Sequence, residues 1–348
     1  ALDRVPEPAF SERGARPLRI FSRPMSEESS TTSPTSATHR GDRSTAVLGV
    51  VAGLFLGYTT FASGATRLAL VPMFARSALS PGVLAALALV AAAIGAMKSG
   101  WWADRTSRTV AIRTAAAIGL VGGSVSMVAP QSALVDVGRV LLAFAAGSMS
   151  AVGAITIAER APRKRRGAIV ILVPLGAVVG FALAFLLDRG IGATGSWRVM
   201  FGVVVPLAVA LLVVASDRNG VAAPDREMRP WRTTFGRPVR PVLALIVLLA
   251  VAQQLTGIDV LVGRAHVLFT DASITPKHAD VWAAVTIGFF SLMGILLARH
   301  FVDHDGRTRL LRIGVSTLAL SLVALTLLSL LKTDTRGEFA DYAALLCM

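Results

Sequence analysis

The sequence predicts an all-α polytopic membrane protein: one complete bundle of six transmembrane helices followed by an incomplete second bundle. Three observations carry that expectation. Of the 348 residues 54% are hydrophobic and only 16% charged, with a mean hydropathy of +0.64, far from the balance of a water-soluble domain. The apolar residues are gathered into segments of about 18 to 25 residues, long enough at ~1.5 Å per residue to cross a hydrocarbon core of about 30 Å. The Lys and Arg residues collect in alternate loops, which fixes an orientation.

Nine segments meet the length criterion: 46–66, 82–102, 110–129, 133–157, 168–187, 199–215, 242–262, 281–301 and 310–331. A tenth begins near Tyr342 and is cut at Met348, so the chain is expected to be a fragment or a truncated product. The basic residues favour the loops after the second, fourth, sixth and eighth segments, among them Arg105, Arg163, Lys164, Arg165 and Arg309. These loops and the N-terminus are therefore cytoplasmic, in what is expected to be the plasma (inner) membrane.

Residues 1–44, rich in Ser, Thr, Pro and Arg, are expected to be a disordered cytoplasmic tail, with Met25 a candidate start. They lack the apolar core of a cleaved signal peptide. Residues 45–216 form the first bundle. Residues 217–240 are polar, carry six Arg and three Pro with the preceding Ser216, and read as a cytoplasmic linker. Residues 241–348 begin the second bundle.

The net charge of +14 is explained by this topology. Nucleic acid is excluded as a partner, because binding it takes a continuous basic face with stacking aromatics and only 6% of residues are aromatic. The lone Cys347 cannot form an internal disulfide or a cysteine metal site. No His, Glu and Asp cluster has metal-ligand spacing, no nucleophile has a base at motif spacing, and no Gly-rich loop opens a helix, so neither an enzyme, a metal nor a cofactor is expected.

Two loops repeat one device. "GWWADRTSRT" after the second segment and "FVDHDGRTR" after the eighth each put an acid at a helix exit and an Arg four residues on: Asp104 with Arg108, and Asp303 with Arg307. Alone, each is an i,i+4 ion pair worth only tenths of a kcal/mol. At matching loops of two halves they read as a parallel repeat.

The first of these loops, with Asp104, Arg105 and Arg108, resembles the cytoplasmic motif of the major facilitator superfamily. "GRVLLAFAAGSMSAVGAITIAERAPRKRRGAIVIL" is similar to the fourth and fifth spans of its sugar porters, with Arg139 near its start and Glu159 seven residues before the Arg166-Gly167 pair. "WRVMF" resembles the start of their sixth span, and "QQLTGID" their seventh-span motif Gln-Gln-Leu-Ser/Thr-Gly-Ile-Asn.

The resemblance implies a rocker-switch secondary transporter of a sugar or similar polar metabolite, perhaps the simplest reading being a proton symporter, whose partners are the bilayer, a small polar solute and protons. It implies solute contacts at Gln253, Gln254 and Asp259, and places Thr59 and Ser291 at positions where the family keeps an Asp and an Asn. It also implies cytoplasmic gating and ion pairs at Asp104, Arg105, Arg108, Arg139, Glu159, Arg166, Asp303 and Arg307, with Glu159 and Arg166 expected to latch to each other.

An amide both donates and accepts, so Gln253 and Gln254 suit a neutral polyol. Against this, a Gln in a span can simply bond a neighbouring helix, at about 0.6 to 2 kcal/mol. Asp259 lies five residues past Gln254, about 140° round a straight helix, and reaches the same cavity only through a break near Gly257. With Thr59 in place of the first-span acid, Asp259 is the expected proton carrier; the competing reading pairs it with Arg264. Two further functions stay open: an exporter or organic-acid symporter, which Arg264 and His266 would suit, and a transporter-derived sensor that binds without transporting.

Overall fold

The computed structural model describes residues 34–65, 81–162, 165–192, 197–216, 240–255, 279–302 and 306–334. Its helices are α1 (Pro34–Ala65), α2 (Pro81–Arg105), α3 (Arg108–Val128), α4 (Ser132–Arg160), α5 (Arg166–Val170), α6 (Leu172–Gly192), α7 (Trp197–Val214), α8 (Arg240–Leu255), α9 (Ala279–Phe301) and α10 (Arg307–Asp334). Each predicted span coincides with one of them, or with α5 and α6 together for the fifth. The tenth segment lies outside the described residues, as does most of the linker.

One boundary differs from expectation. Residues 34–44 are helical, so the first helix starts well inside the segment expected to be disordered. Pro34 occupies its first position, where a missing N–H costs nothing and φ is already helical. Pro81 does the same for α2.

The fifth span is interrupted at Ile171. Pro174 has no N–H to offer the Val170 carbonyl four residues back, and the chain bridges the gap by bonds from the Ile171 amide to Gly167 and from the Leu175 amide to Ile171.

The first bundle is held together where glycines let backbones touch. Along α1, Gly49, Gly53 and Gly57 recur every fourth residue and so lie on one face. A Cβ on Gly53 would strike the Val173 carbonyl, and one on Gly57 the Ala177 carbonyl; from the opposite side, Cβ atoms on Gly176 and Gly180 would strike the Val50 and Leu54 carbonyls. Helices α1 and α6 thus meet with no side chain between them, the small-residue packing typical of membranes. Gly147 of α4 abuts the Ala92 backbone of α2 in the same way, and Gly138 of α4 abuts Ser126 of α3.

Around these seams lies one continuous core that includes Phe55, Tyr58, Ile112, Leu142, Met149, Phe201 and Leu211, each at most 1% exposed. The Tyr58 hydroxyl donates to the Met200 carbonyl at 2.8 Å, tying α1 to α7 inside that core. Tyr58→Phe is expected to lower the thermal stability of the purified protein by about 1 kcal/mol, the net worth of one buried hydrogen bond. A change under a few tenths would mean the carbonyl is served equally well by its own helix.

In the second half, α9 packs against α6 and touches α5. Helices α8 and α10 leave large apolar side chains such as Ile246, Leu248, Ile313 and Leu320 exposed, surface that a bilayer would cover.

Candidate functional site

The cytoplasmic cluster is built by a helix break. α2 ends at Arg105, and Ser107 then adopts an extended backbone and accepts from the Val110 amide at 3.2 Å, an N-cap that starts α3 at Arg108. Asp104 and Arg108 therefore face each other across the break, with Arg108 Nη1 2.7 Å from Asp104 Oδ1.

The same guanidinium reaches the end of α4. Its Nε donates to Glu159 Oε2 at 3.2 Å and its Nη2 to Oε1 at 3.4 Å, a two-pronged fork across 51 residues of sequence. Beside it, Arg160 Nη2 donates to Thr109 Oγ1 at 3.1 Å. Burial works against the charge on Arg108, but the Glu159 and Asp104 carboxylates outweigh it and raise its pKa, so Arg108 stays a cation at any pH the protein meets.

Three expectations about this cluster change. The ion pair seen for Glu159 is with Arg108, not Arg166: the end of α4 lies against the start of α3, and the turn at Pro162, whose carbonyl accepts from the Arg165 amide at 3.0 Å, leads the chain away to α5. Arg166 Nε is buried with no hydrogen-bond partner among the described residues.

Arg105 does not join the ion pairs either; its guanidinium carbon lies 3.9 Å from the centre of the Trp101 ring, a cation–π contact. Arg139 is not cytoplasmic. It stands 21 residues before Arg160 on α4, roughly 31 Å away along the axis, in the opposite half of the bundle. It is only 7% exposed.

The expected solute site is only partly within the described residues. Gln253 and Ser291 are exposed, on α8 and α9. Gln254 is in α8, though its side chain is outside the description, as are Asp259 and Asp303 altogether; Arg307 begins α10 after Gly306, whose φ of 81° suits a residue without a Cβ. Thr59 is fully buried, and its hydroxyl donates to the Phe55 carbonyl at 2.7 Å within α1, so in this structure it is turned onto its own helix rather than toward a solute.

Sequence reasoning passes over Asp136, although an acid inside an apolar span is itself a signal. It lies on α4, one turn before Arg139, and is 6% exposed. No group of three His, Cys, Asp or Glu among the described residues could hold a metal ion.

The family model of the Sugar (and other) transporter family matches residues 25–216 and 218–348. The galactose-proton symporter of Escherichia coli K12 is 28% identical over 265 residues, covering 66% of this chain and 57% of that protein. The arabinose-proton symporter of the same strain is 26% identical over 325 residues, covering 83% and 69%.

Among solved structures, the proton:xylose symporter XylE of the major facilitator superfamily, bound to 6-bromo-6-deoxy-D-glucose, matches with a TM-score of 0.71 at 20% identity, over 89% of this chain and 80% of that one. The inward open conformation of XylE from E. coli matches at 0.54, with 20% identity, over 87% and 79%. These likenesses establish the fold. The chain thus spans little more than half of the galactose symporter it matches, yet the family model covers nearly all of it after Met25, and on that match this integral membrane protein belongs to the Sugar (and other) transporter family.

Proposed function

We propose that the protein is a secondary transporter that moves a sugar or a similar polar metabolite across the plasma membrane by alternating access, coupled to protons. The observation that carries this reading is the family match over both halves of the chain, together with relatives named as sugar-proton symporters. In this reading residues 45–216 and 241–348 are two bundles that rock about the contact of α9 with α6, joined by the linker 217–240, with the N-terminus in the cytoplasm. It makes no claim on catalysis: the protein moves its solute unchanged.

The solute site is assigned to Gln253, Gln254, Asp259 and Ser291, where amide, carboxylate and hydroxyl groups can match the paired donors and acceptors of a polyol. Asp104, Arg108 and Glu159, with Arg166, Asp303 and Arg307, are assigned to the cytoplasmic contacts that hold one state closed.

Exchange of radiolabelled D-galactose against unlabelled galactose in proteoliposomes tests the function. Exchange is expected, and binding without exchange would instead favour a sensor. Gln253→Ala is expected to weaken half-saturation roughly fivefold, the loss of one hydrogen bond of about 1 kcal/mol. An unchanged value would remove Gln253 from the site.

A further inference from the structure

Two charged side chains are buried in the described part of this protein, Asp136 at 6% and Arg139 at 7% exposure. They are three residues apart on α4, so their Cβ atoms lie about 5 to 6 Å apart on one face and the two groups can reach each other. Burying either charge alone inside a membrane is costly, and ionisable residues kept there usually serve ion or proton movement.

Their surroundings isolate them. α4 packs against α1, α2, α3 and α5. Between Thr45 and Ala65, α1 has no charged residue, and its titratable group there, Tyr58, has its hydroxyl engaged with the Met200 carbonyl. Lys98, Asp104 and Arg105 of α2, Arg108 and Arg113 of α3, and Arg166 of α5 all stand at the cytoplasmic end. From the outer end, Arg198 of α7 donates to the Ala129 carbonyl just ahead of α4, at 3.3 Å, and Asp188 of α6 lies close enough to act on Tyr58.

Depth favours proton traffic. Asp136 is about 6 Å along the axis from the start of α4 at Ser132, and roughly 36 Å from its end at Arg160. It is therefore buried, but only one helical turn from the extracellular mouth.

We propose that Asp136, paired with Arg139, is the proton-carrying carboxylate of this transporter, a role expected from sequence of Asp259. This rests on the transport reading above. In the cycle the Asp136 carboxylate takes one proton from the outside and becomes a neutral acid, which takes the counter-charge away from Arg139. The bundle then reopens inward, the same proton leaves for the cytoplasm, and the pair returns to net neutrality. One proton enters and one leaves, and no other reactant is consumed.

The test uses the full chain in proteoliposomes loaded with a pH-sensitive dye, with D-galactose as probe. Asp136→Asn is expected to lower galactose-driven proton influx by at least about tenfold more than it lowers galactose exchange, whereas Asp136→Glu keeps influx. Influx surviving in Asp136→Asn, or exchange without any influx in the unaltered protein, would overturn the proposal.

Infrared difference spectra between mildly acidic and mildly alkaline buffer, which need neither sugar nor transport, supply the second readout. A carboxylic-acid band is expected in the unaltered protein, shifted in Asp136→Glu and missing in Asp136→Asn. No such band, or one unmoved by Asp136→Glu, overturns the proposal even if exchange itself fails and the transport reading falls with it.

Discussion

Gly57→Leu is expected to prevent the first bundle from assembling. A Cβ at this position meets the carbonyl, the carbonyl carbon and the Cα of Ala177, all of them backbone. Backbone cannot rotate away as a side chain can, so α1 and α6 would have to separate and surrender the longest contact in the bundle. Overpacking a core that can adjust costs about 1 to 3 kcal/mol, and this one cannot adjust, so the loss should be at least about 3 kcal/mol. Gly53→Leu should behave alike, since its Cβ meets the Val173 carbonyl.

Gly294→Leu is the control: nothing lies within 4 Å of a Cβ there, and the change should stay within about 0.5 kcal/mol. Unfolding midpoints and monodisperse yield in detergent decide the matter. Equal behaviour of Gly57→Leu and Gly294→Leu would mean that the α1–α6 seam is not where the bundle is held.

Arg108→Ala should be the most damaging change at the cytoplasmic end, at about 2 kcal/mol, and its two partners should contribute unequally. The Asp104 carboxylate is 60% exposed, so water and salt screen it and its pairing with Arg108 should be worth under about 0.5 kcal/mol. The Glu159 carboxylate is 33% exposed and takes two parallel donors, so a double-mutant cycle of Arg108→Ala with Glu159→Ala should give a coupling of about 1 to 2 kcal/mol. Arg108→Lys should restore less than half of it, because one ammonium cannot fork across both oxygens. A larger coupling to Asp104 than to Glu159 would show that the inter-helix fork is not the main link.

The helices were legible in the sequence because a bilayer sets a length that few other structures need, and each span from 82–102 to 310–331 declares itself by an apolar run of that length. The start of α1 was not legible, since "PTSATHRGDR" has no apolar face and reads as tail. Partner choice was harder still. Glu159 and Arg166 are near in sequence and look like a pair, but which cation reaches Glu159 depends on how the first turn of α3 meets the last turn of α4. That is a fact of packing over 51 residues which no local pattern records. Arg139 was misplaced for a related reason: motif membership groups residues by sequence, while helix rise separates them by depth. Asp136 was readable as an acid in a span; its burial beside Arg139 came only with the fold.

The joint at Ile171 sets a limit on how the cytoplasmic end can work. Arg166 sits five residues from it, a lever arm of only about 7.5 Å, so a bend of roughly 10° carries the base of that side chain by little more than 1 Å. Such a stroke is enough to break or remake a hydrogen bond, and far too small to admit a sugar. Local flexing at Pro174 can therefore act as a trigger, while clearing a passage is left to the displacement of whole helices.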